Sequence, residues 1–289
     1  MAAKPIVAAT DGSEESLRAV DWAARESLVR GAPLRIVAAR ALVPRMIPRR
    51  STGEYATVTD VLLADRDRAL ATAAERAAKA AHGVLIDTDP LEGSPAQAVT
   101  DSGSGAMMLV LGSRGTGAFT ALLLGSVSRY AASHASCPVV VVRDEDPGPH
   151  GLIGVGVGDP DRWDETLTFA FEEASLRKAR LLALYAWHTP QAAISSAGQE
   201  FTSLGPQTVA FKVAEHLARL LDDWRAKYPG VPVSQEVVHG HPGRALAGLS
   251  TRADLVVIGR HAGHRQGPGS VRNAALNHAH GPVAVIPSS

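Results

Sequence analysis

Short apolar runs alternate with longer amphipathic stretches along the chain, and their spacing predicts strands alternating with helices. Ile6–Thr10 reads as a buried strand, after which Asp11, Gly12 and Ser13 cap an Ala-rich helix running to about Arg30. Leu34–Ala39 is the second strand, followed by a polar loop over Pro44–Gly53 that carries Arg45, Arg49 and Arg50. An amphipathic helix over Val58–His82 comes next, then a strand near Val84–Asp87. Gly93, Ser94 and Pro95 open a helix ending about Ser102. Met108–Leu111 is the fourth strand, Ser126–His134 the helix after a Gly-rich loop, and Val139–Arg143 the last strand. Five strands joined by crossover helices predict a parallel α/β sheet with right-handed connections. Periodicity leaves the spatial order of the strands open.

The whole pattern then repeats. Gly112 closes Met108–Leu111 and Gly259 closes Leu255–Ile258, an offset of 147 (259 − 112). The same offset carries Pro5–Asp11 onto Leu152–Gly158, Leu34–Ala39 onto Leu181–Ala186, and Glu92–Pro95 onto His239–Pro242. Beyond the glycines it falls to 144: Gly125, Ser126 and Val127 meet Gly269, Ser270 and Val271, and Cys137–Val139 meets Gly281–Val283. One loop of the second half is therefore three residues shorter. The expectation is a tandem duplication, with domains over 1–143 and 151–289 joined by an acidic Pro/Gly linker at 144–150. Val139–Val142 and Val283–Ile286 are expected to pair within the chain as a pseudo-dimer, with a further homodimer left open.

Composition narrows the classes. Hydrophobic residues make up 45% of the 289 residues but aromatics only 4%, so the core must be Ala, Val, Leu and Ile, as suits helices on a buried parallel sheet. Twenty-nine Lys+Arg balance twenty-nine Asp+Glu, which argues against a nucleic-acid backbone as partner. The lone Cys137 cannot form an internal bridge, and its place before Pro138 suits a small packed residue. No apolar run of about 18 residues and no signal-peptide pattern occur, so a cytoplasmic protein without a membrane partner is expected.

The candidate chemistry lies at Gly112, Ser113, Arg114 and Gly115, then nine residues, then Gly125, Ser126, Val127 and Ser128. This stretch leaves the C-terminal end of a buried strand and enters a helix, the edge at which open α/β sheets bind ligands. Glycines there admit a ligand to the backbone, and the helix N-terminus suits phosphate. The Ser126 and Ser128 hydroxyls add hydrogen-bonding capacity. Gly-x-x-Gly, nine residues, then Gly-Ser resembles the ATP-binding motif of the universal stress protein family. So do Val7–Ser13, Gly93–Pro95, Gly125–Arg129 and Cys137–Val141, and the likeness spans both halves. The resemblance implies two tandem five-stranded parallel open sheets of order 3-2-1-4-5 with helices on both faces, an adenine-nucleotide α-hydrolase-like fold. It implies an ATP site at the switch point between strands one and four. The nucleoside would lie near Ala9, Thr10, Asp11 and the backbone of Ala39. The phosphates, with Mg²⁺, would lie over Gly112, Arg114, Gly115, Gly125, Ser126, Val127 and Ser128.

The second half departs from this pattern. Gly158 replaces Asp11, with Asp159 beside it; Ala262 replaces Gly115; and Ser128 becomes Arg272. A second site would draw on Asp159, Ala186, Gly259, Arg260, Gly269, Ser270 and Val271, with charge from Arg260, His261, Arg265 and Arg272. The alternation of Gly154, Gly156 and Gly158 makes its first strand less bulky. No Gly-Lys pair, spaced dinucleotide fingerprint or Gly-x-Ser-x-Gly elbow occurs. His261, His264, His278 and His280 lack the partners of a metal site. The expected function is an ATP-binding regulatory module in stress adaptation with at most slow hydrolysis. A nucleotide-using enzyme and a scaffold with vestigial pockets are the other readings. The charges of the long helix, Asp65 to Lys79, read as a solvated face with pairs along the helix.

Overall fold

The computed structural model describes residues 3–40, 54–115, 124–143, 149–158, 164–187, 206–260 and 271–287, with the backbone alone for 54–61, 187 and 206–210. The chain forms two compact units, Met1–Asp144 and Glu145–Ser289.

The first unit runs β1 (Ile6–Ala9), α1 (Glu14–Arg30), β2 (Leu34–Arg40), α2 (Glu54–Ala80), β3 (Ile86–Glu92), α3 (Pro95–Ser102), β4 (Met108–Gly112), α4 (Ser126–His134) and β5 (Val139–Val142). Parallel pairing of β1 with β2 and β4, of β2 with β3, and of β4 with β5 gives the order β3-β2-β1-β4-β5. The chain reverses its direction across the sheet after β3. Right-handed crossovers therefore lay α1 and α2 on one face and α3 and α4 on the other, and each pair packs together.

Strands β1, β4 and β5 are buried throughout, as continuous apolar runs in a doubly covered sheet should be. Against them α1 lays Ala19, Val20, Ala23 and Ala24, all without exposed surface. Ser13 caps α1 by accepting from the Ser16 N–H, and Gly31, at φ 62°, ends it in the left-handed conformation.

Most boundaries fall within two residues of the sequence reading, and the larger differences are at α2 and β3. Helix α2 begins at Glu54 rather than Val58. Strand β3 covers Ile86–Glu92 rather than Val84–Asp87, because pairing with all seven residues of β2 outweighs the poor strand propensity of Asp87, Asp89 and Pro90. At the sheet edge, where a missing N–H costs no ladder bond, Pro90 is tolerated. The charges of α2 are not all paired along their own helix. Arg68 does bond Asp65 at 2.7 Å. Arg76, however, reaches across to α1, donating to Asp21 at 2.8 Å and to both Glu14 oxygens at 2.8 and 2.9 Å. That bond holds the Glu14 carboxyl below its ordinary range.

The second unit runs β6 (Leu152–Val157), α5 (Asp164–Arg177), β7 (Arg180–Trp187), α6 (Pro206–Leu220), α7 (Asp222–Lys227), β8 (Val233–His239), α8 (Pro242–Leu249), β9 (Leu255–Gly259), α9 (Val271–His278) and β10 (Val283–Ile286). Its parallel order is β8-β7-β6-β9-β10, the same topology. β8, α8 and β9 repeat β3, α3 and β4 at the 147 offset, and β10 repeats β5 at 144. A buried Glu–Arg pair near the end of the first helix recurs with them: Glu26 with Arg30, and Glu173 with Arg177. The bareness of β6 has a packing cause. A Cβ on Gly154 would lie 2.5 Å from Leu249 Cδ2, and one on Gly156 2.8 Å from Leu246 Cδ2, so two leucines of α8 fill the space.

Candidate functional site

Four segments converge at the C-terminal edge of the first sheet. β1 ends at Ala9, and the Thr10 N–H continues its pairing by donating to Val37 of β2 at 2.9 Å. The turn that follows is tied internally. Thr10 Oγ1 and Ser16 Oγ lie 3.0 Å apart, the Gly12 N–H donates to Thr10 Oγ1, and Asp11 Oδ1 accepts from both the N–H and the hydroxyl of Ser13. These bonds fix the Asp11 carboxylate, and its other oxygen, Oδ2, lies where a Cβ on Gly115 would stand. Asp11 and Gly115, about a hundred residues apart in the chain, thus face each other. Ser16 has no place in the motif, and it is this side chain that anchors Thr10.

The motif glycines divide by cause. A Cβ on Gly112 would lie 2.8 Å from the Glu15 carbonyl oxygen and 3.0 Å from the Ser16 nitrogen, so this glycine lets α1 cross β4. At Gly125 the nearest atom to a Cβ would be the Ser113 carbonyl oxygen at 3.4 Å, an ordinary contact. Gly125 is the N-cap of α4, at φ −58° and ψ 153°, with no side-chain cap bond. Its own N–H donates to Ser113 O at 2.8 Å. The following N–H groups are the orphan donors of a helix start.

Ser128 and Ser126 part company. The Ser128 hydroxyl is buried and donates to the Gly112 carbonyl at 2.6 Å, so its one hydrogen is spent on the fold. Ser126 is exposed at the helix start, with Val127 half-buried beside it. Ala39 stands on β2, two residues beyond Val37, and pairs with Leu91. Arg114 is half-buried beside Gly115. A residue outside the motif joins it: Arg143, just past β5, is held below its ordinary range by burial and by the Arg114 charge. Two cations therefore meet at this edge. The signal for Arg143 was its place at the end of the strand next to β4.

In the second unit Gly259 ends β9, the Arg260 N–H donates to Ile286 O at 2.8 Å, Val271 opens α9, and Ala186 of β7 pairs with Val238 of β8. Gly158, in the place of Asp11, has nothing among the described residues within 4 Å of its would-be Cβ. Asp159, His261, His264, Arg265, Gly269 and Ser270 lie outside the described residues, as do Arg45, Arg49 and Arg50. No helix among the described residues is long and apolar enough to cross a membrane.

The family model of the universal stress protein family matches residues 2–143 and again 151–287. A universal stress protein of Mycobacterium tuberculosis is 34% identical over 98% of this chain and 97% of its own. One of Mycolicibacterium smegmatis is 31% identical over 97% and 96%. Among solved structures, a universal stress protein from Archaeoglobus fulgidus aligns over 98% of both chains with a TM-score of 0.71; at 16% identity this speaks to the fold alone. With the family's pattern matched twice and relatives alike over nearly the full length, the chain belongs to the universal stress protein family.

Proposed function

We propose that the first unit binds an adenine nucleotide, ATP with Mg²⁺, and that the protein acts in the cytoplasm as a regulatory module whose output is its nucleotide-bound state. The observation that carries this reading is Gly125. Among the described residues none forbids a methyl there, the Ser113 carbonyl oxygen lying 3.4 Å and the Arg114 Cα 3.6 Å from a would-be Cβ, yet the position is bare, at a helix start without a side-chain cap bond. That combination suits a phosphate chain: backbone N–H groups of Ser126 and Val127 and the Arg114 guanidinium donate to it, and Arg143 adds charge behind them. Asp11, held by Ser13, accepts hydroxyl hydrogens from the nucleoside beside Ala9, Thr10 and Ala39. A divalent cation would be held chiefly by phosphate oxygens and water, and would neutralise charge there. The donors hold phosphate, but no described side chain stands as a base for water, so turnover is expected far below about 1 per second.

Calorimetric titration of Mg-ATP into nucleotide-stripped protein tests this. Gly125→Val is expected to remove the first-unit site while circular dichroism and the melting midpoint stay near those of the parent. Unchanged affinity in a folded Gly125→Val protein would refute the pocket.

A further inference from the structure

We propose that Arg76 of α2 is a positioning residue for the ligand edge of the first unit, holding the turn that carries Asp11 in its binding conformation. What Asp11 contacts rests on the nucleotide reading above; what holds Asp11 in place is the new element.

Helix α2 meets that turn and the helix after it on one face. Gly12, at φ 86°, turns its bare backbone to α2: a Cβ there would lie 3.4 Å from Ala69 Cβ. Two helical turns further along the same face stands Arg76. All three nitrogens of its guanidinium are used. Nη1 and Nη2 pair with the two Glu14 oxygens at 2.9 and 2.8 Å, and Nε donates to Asp21 at 2.8 Å. Glu14 and Asp21 are themselves two turns apart on α1, so one planar group fixes how α1 sits against α2. The contact holds Glu14 below its ordinary range and Arg76 above its own. Asp21 Oδ1 is buried without a hydrogen bond, so Arg76 is what meets the Asp21 charge among the described residues.

The tie reaches the carboxylate through one residue. Ser13, next to Glu14, gives both its N–H and its hydroxyl to Asp11 Oδ1, at 3.0 and 2.6 Å. The Ser13 oxygen in turn accepts from the Ser16 N–H in the first turn of α1. A shift of that turn against α2 therefore moves Ser13, and Asp11 with it.

The second half of the chain separates this role from that of holding the fold. At the 147 offset Arg76 becomes Asp223, Asp21 becomes Thr168, Ser13 becomes Pro160 and Asp11 becomes Gly158; an acid stays at the place of Glu14, as Asp161. The junction of the two helices is built there from other residues. Phe171, Trp224 and Tyr228 take the places of Ala24, Ala77 and Ala81, and Phe171 stacks on the other two rings at 5.5 and 5.1 Å. Aromatic packing serves where no carboxylate has to be placed. The arginine and the carboxylate it leads to occur together in one half and are lost together in the other.

The test joins calorimetric titration of Mg-ATP to hydrogen exchange of the ligand-free full chain, for the parent, Arg76→Gln, Glu14→Ala and the double variant. Each single change is expected to weaken Mg-ATP at least about fivefold, the worth of about one hydrogen bond, and the double no more than the larger single, because both cut one tie. Arg76→Lys, which keeps the charge, should recover part of the loss. Inorganic tripolyphosphate has no nucleoside for Asp11 to hold, so its binding should not change. Exchange should quicken over residues 10–17 more than over 18–30. Glu14→Ala leaves the Arg76–Asp21 bond intact and carries the test if Arg76→Gln does not fold. Unchanged Mg-ATP affinity in a folded variant overturns the proposal. So does a loss of ATP and tripolyphosphate together in step with the melting midpoint, which would make Arg76 a residue of the fold alone. If the parent binds no Mg-ATP, the nucleotide reading fails and exchange decides: quickening centred on the turn upholds the placing of Asp11 by Arg76, and unchanged exchange there overturns it.

Discussion

Replacing Gly112 with alanine separates packing from binding within one motif. The added methyl would lie 2.8 Å from the Glu15 carbonyl oxygen, 2.9 Å from its carbon and 3.0 Å from the Ser16 nitrogen. All three are backbone atoms of the first turn of α1, so no side chain can swing aside. Either α1 lifts from β4 or the strand end retreats. Inserting one methyl group into a packed interior costs about 1–3 kcal/mol. With 1.4 kcal/mol per tenfold, amide exchange in α1 and β4 should quicken by about 5- to 150-fold where local opening controls it. Hydrogen-exchange mass spectrometry on peptides from residues 14–30 and 108–112 reads this directly, while peptides of the second unit serve as an internal reference. Gly125→Ala is the matched control, since the same methyl makes contacts of 3.4 Å and longer. Allowing for the poorer N-cap, it should cost under about 1 kcal/mol. Exchange in the Gly112→Ala protein equal to that of the parent would refute the assignment of this glycine to helix packing.

Ser128→Ala should lower stability by about 1 kcal/mol, the worth of one buried hydrogen bond, and leave ATP affinity within about threefold. A large loss of affinity without loss of stability, by titration and urea unfolding, would return the hydroxyl to the binding site. Cys137 is 5% exposed, and burial pushes its thiol from 9.0 up to about 11. Alkylation at pH 8 should therefore wait on unfolding. The raised value means the folded state holds the proton more tightly. That stabilisation is complete below pH 9 and is lost as pH rises through about 11, so the urea midpoint should fall less over this window in Cys137→Ala.

Much of the fold was legible because the repeat constrains it twice. Strands β4 and β5 are short apolar runs that recur at fixed offsets, and the missing three residues fall between β9 and β10, where the shift from 147 to 144 requires them. Pattern failed where tertiary pairing overrides composition. Ile86–Glu92 alternates charge with little strand propensity, and β2 alone makes it a strand. It failed again for Arg76, because helical spacing shows neighbours along α2 but not Glu14 and Asp21 on α1. Arg143 escaped notice for a related reason. Its partner Arg114 is near only once β4 and β5 lie side by side.

The three motif glycines carry the deeper point. In sequence Gly112, Gly115 and Gly125 look alike, as places where backbone must stay bare for a ligand. In the structure the fold itself accounts for two of them: α1 backbone excludes a side chain at Gly112, and the Asp11 carboxylate occupies its space at Gly115. Of these three, Gly125 is the one where the described residues leave room for a methyl. Glycine is an accepted N-cap, short of Ser, Thr, Asp or Asn by about a few tenths of a kcal/mol, so Gly125 forgoes a small part of the cap stability. Such a loss is offset when something outside the chain takes the same N–H groups. Binding at this edge is therefore argued most strongly by the one glycine whose bareness packing does not explain, and Gly125→Val is the substitution that separates ligand from scaffold.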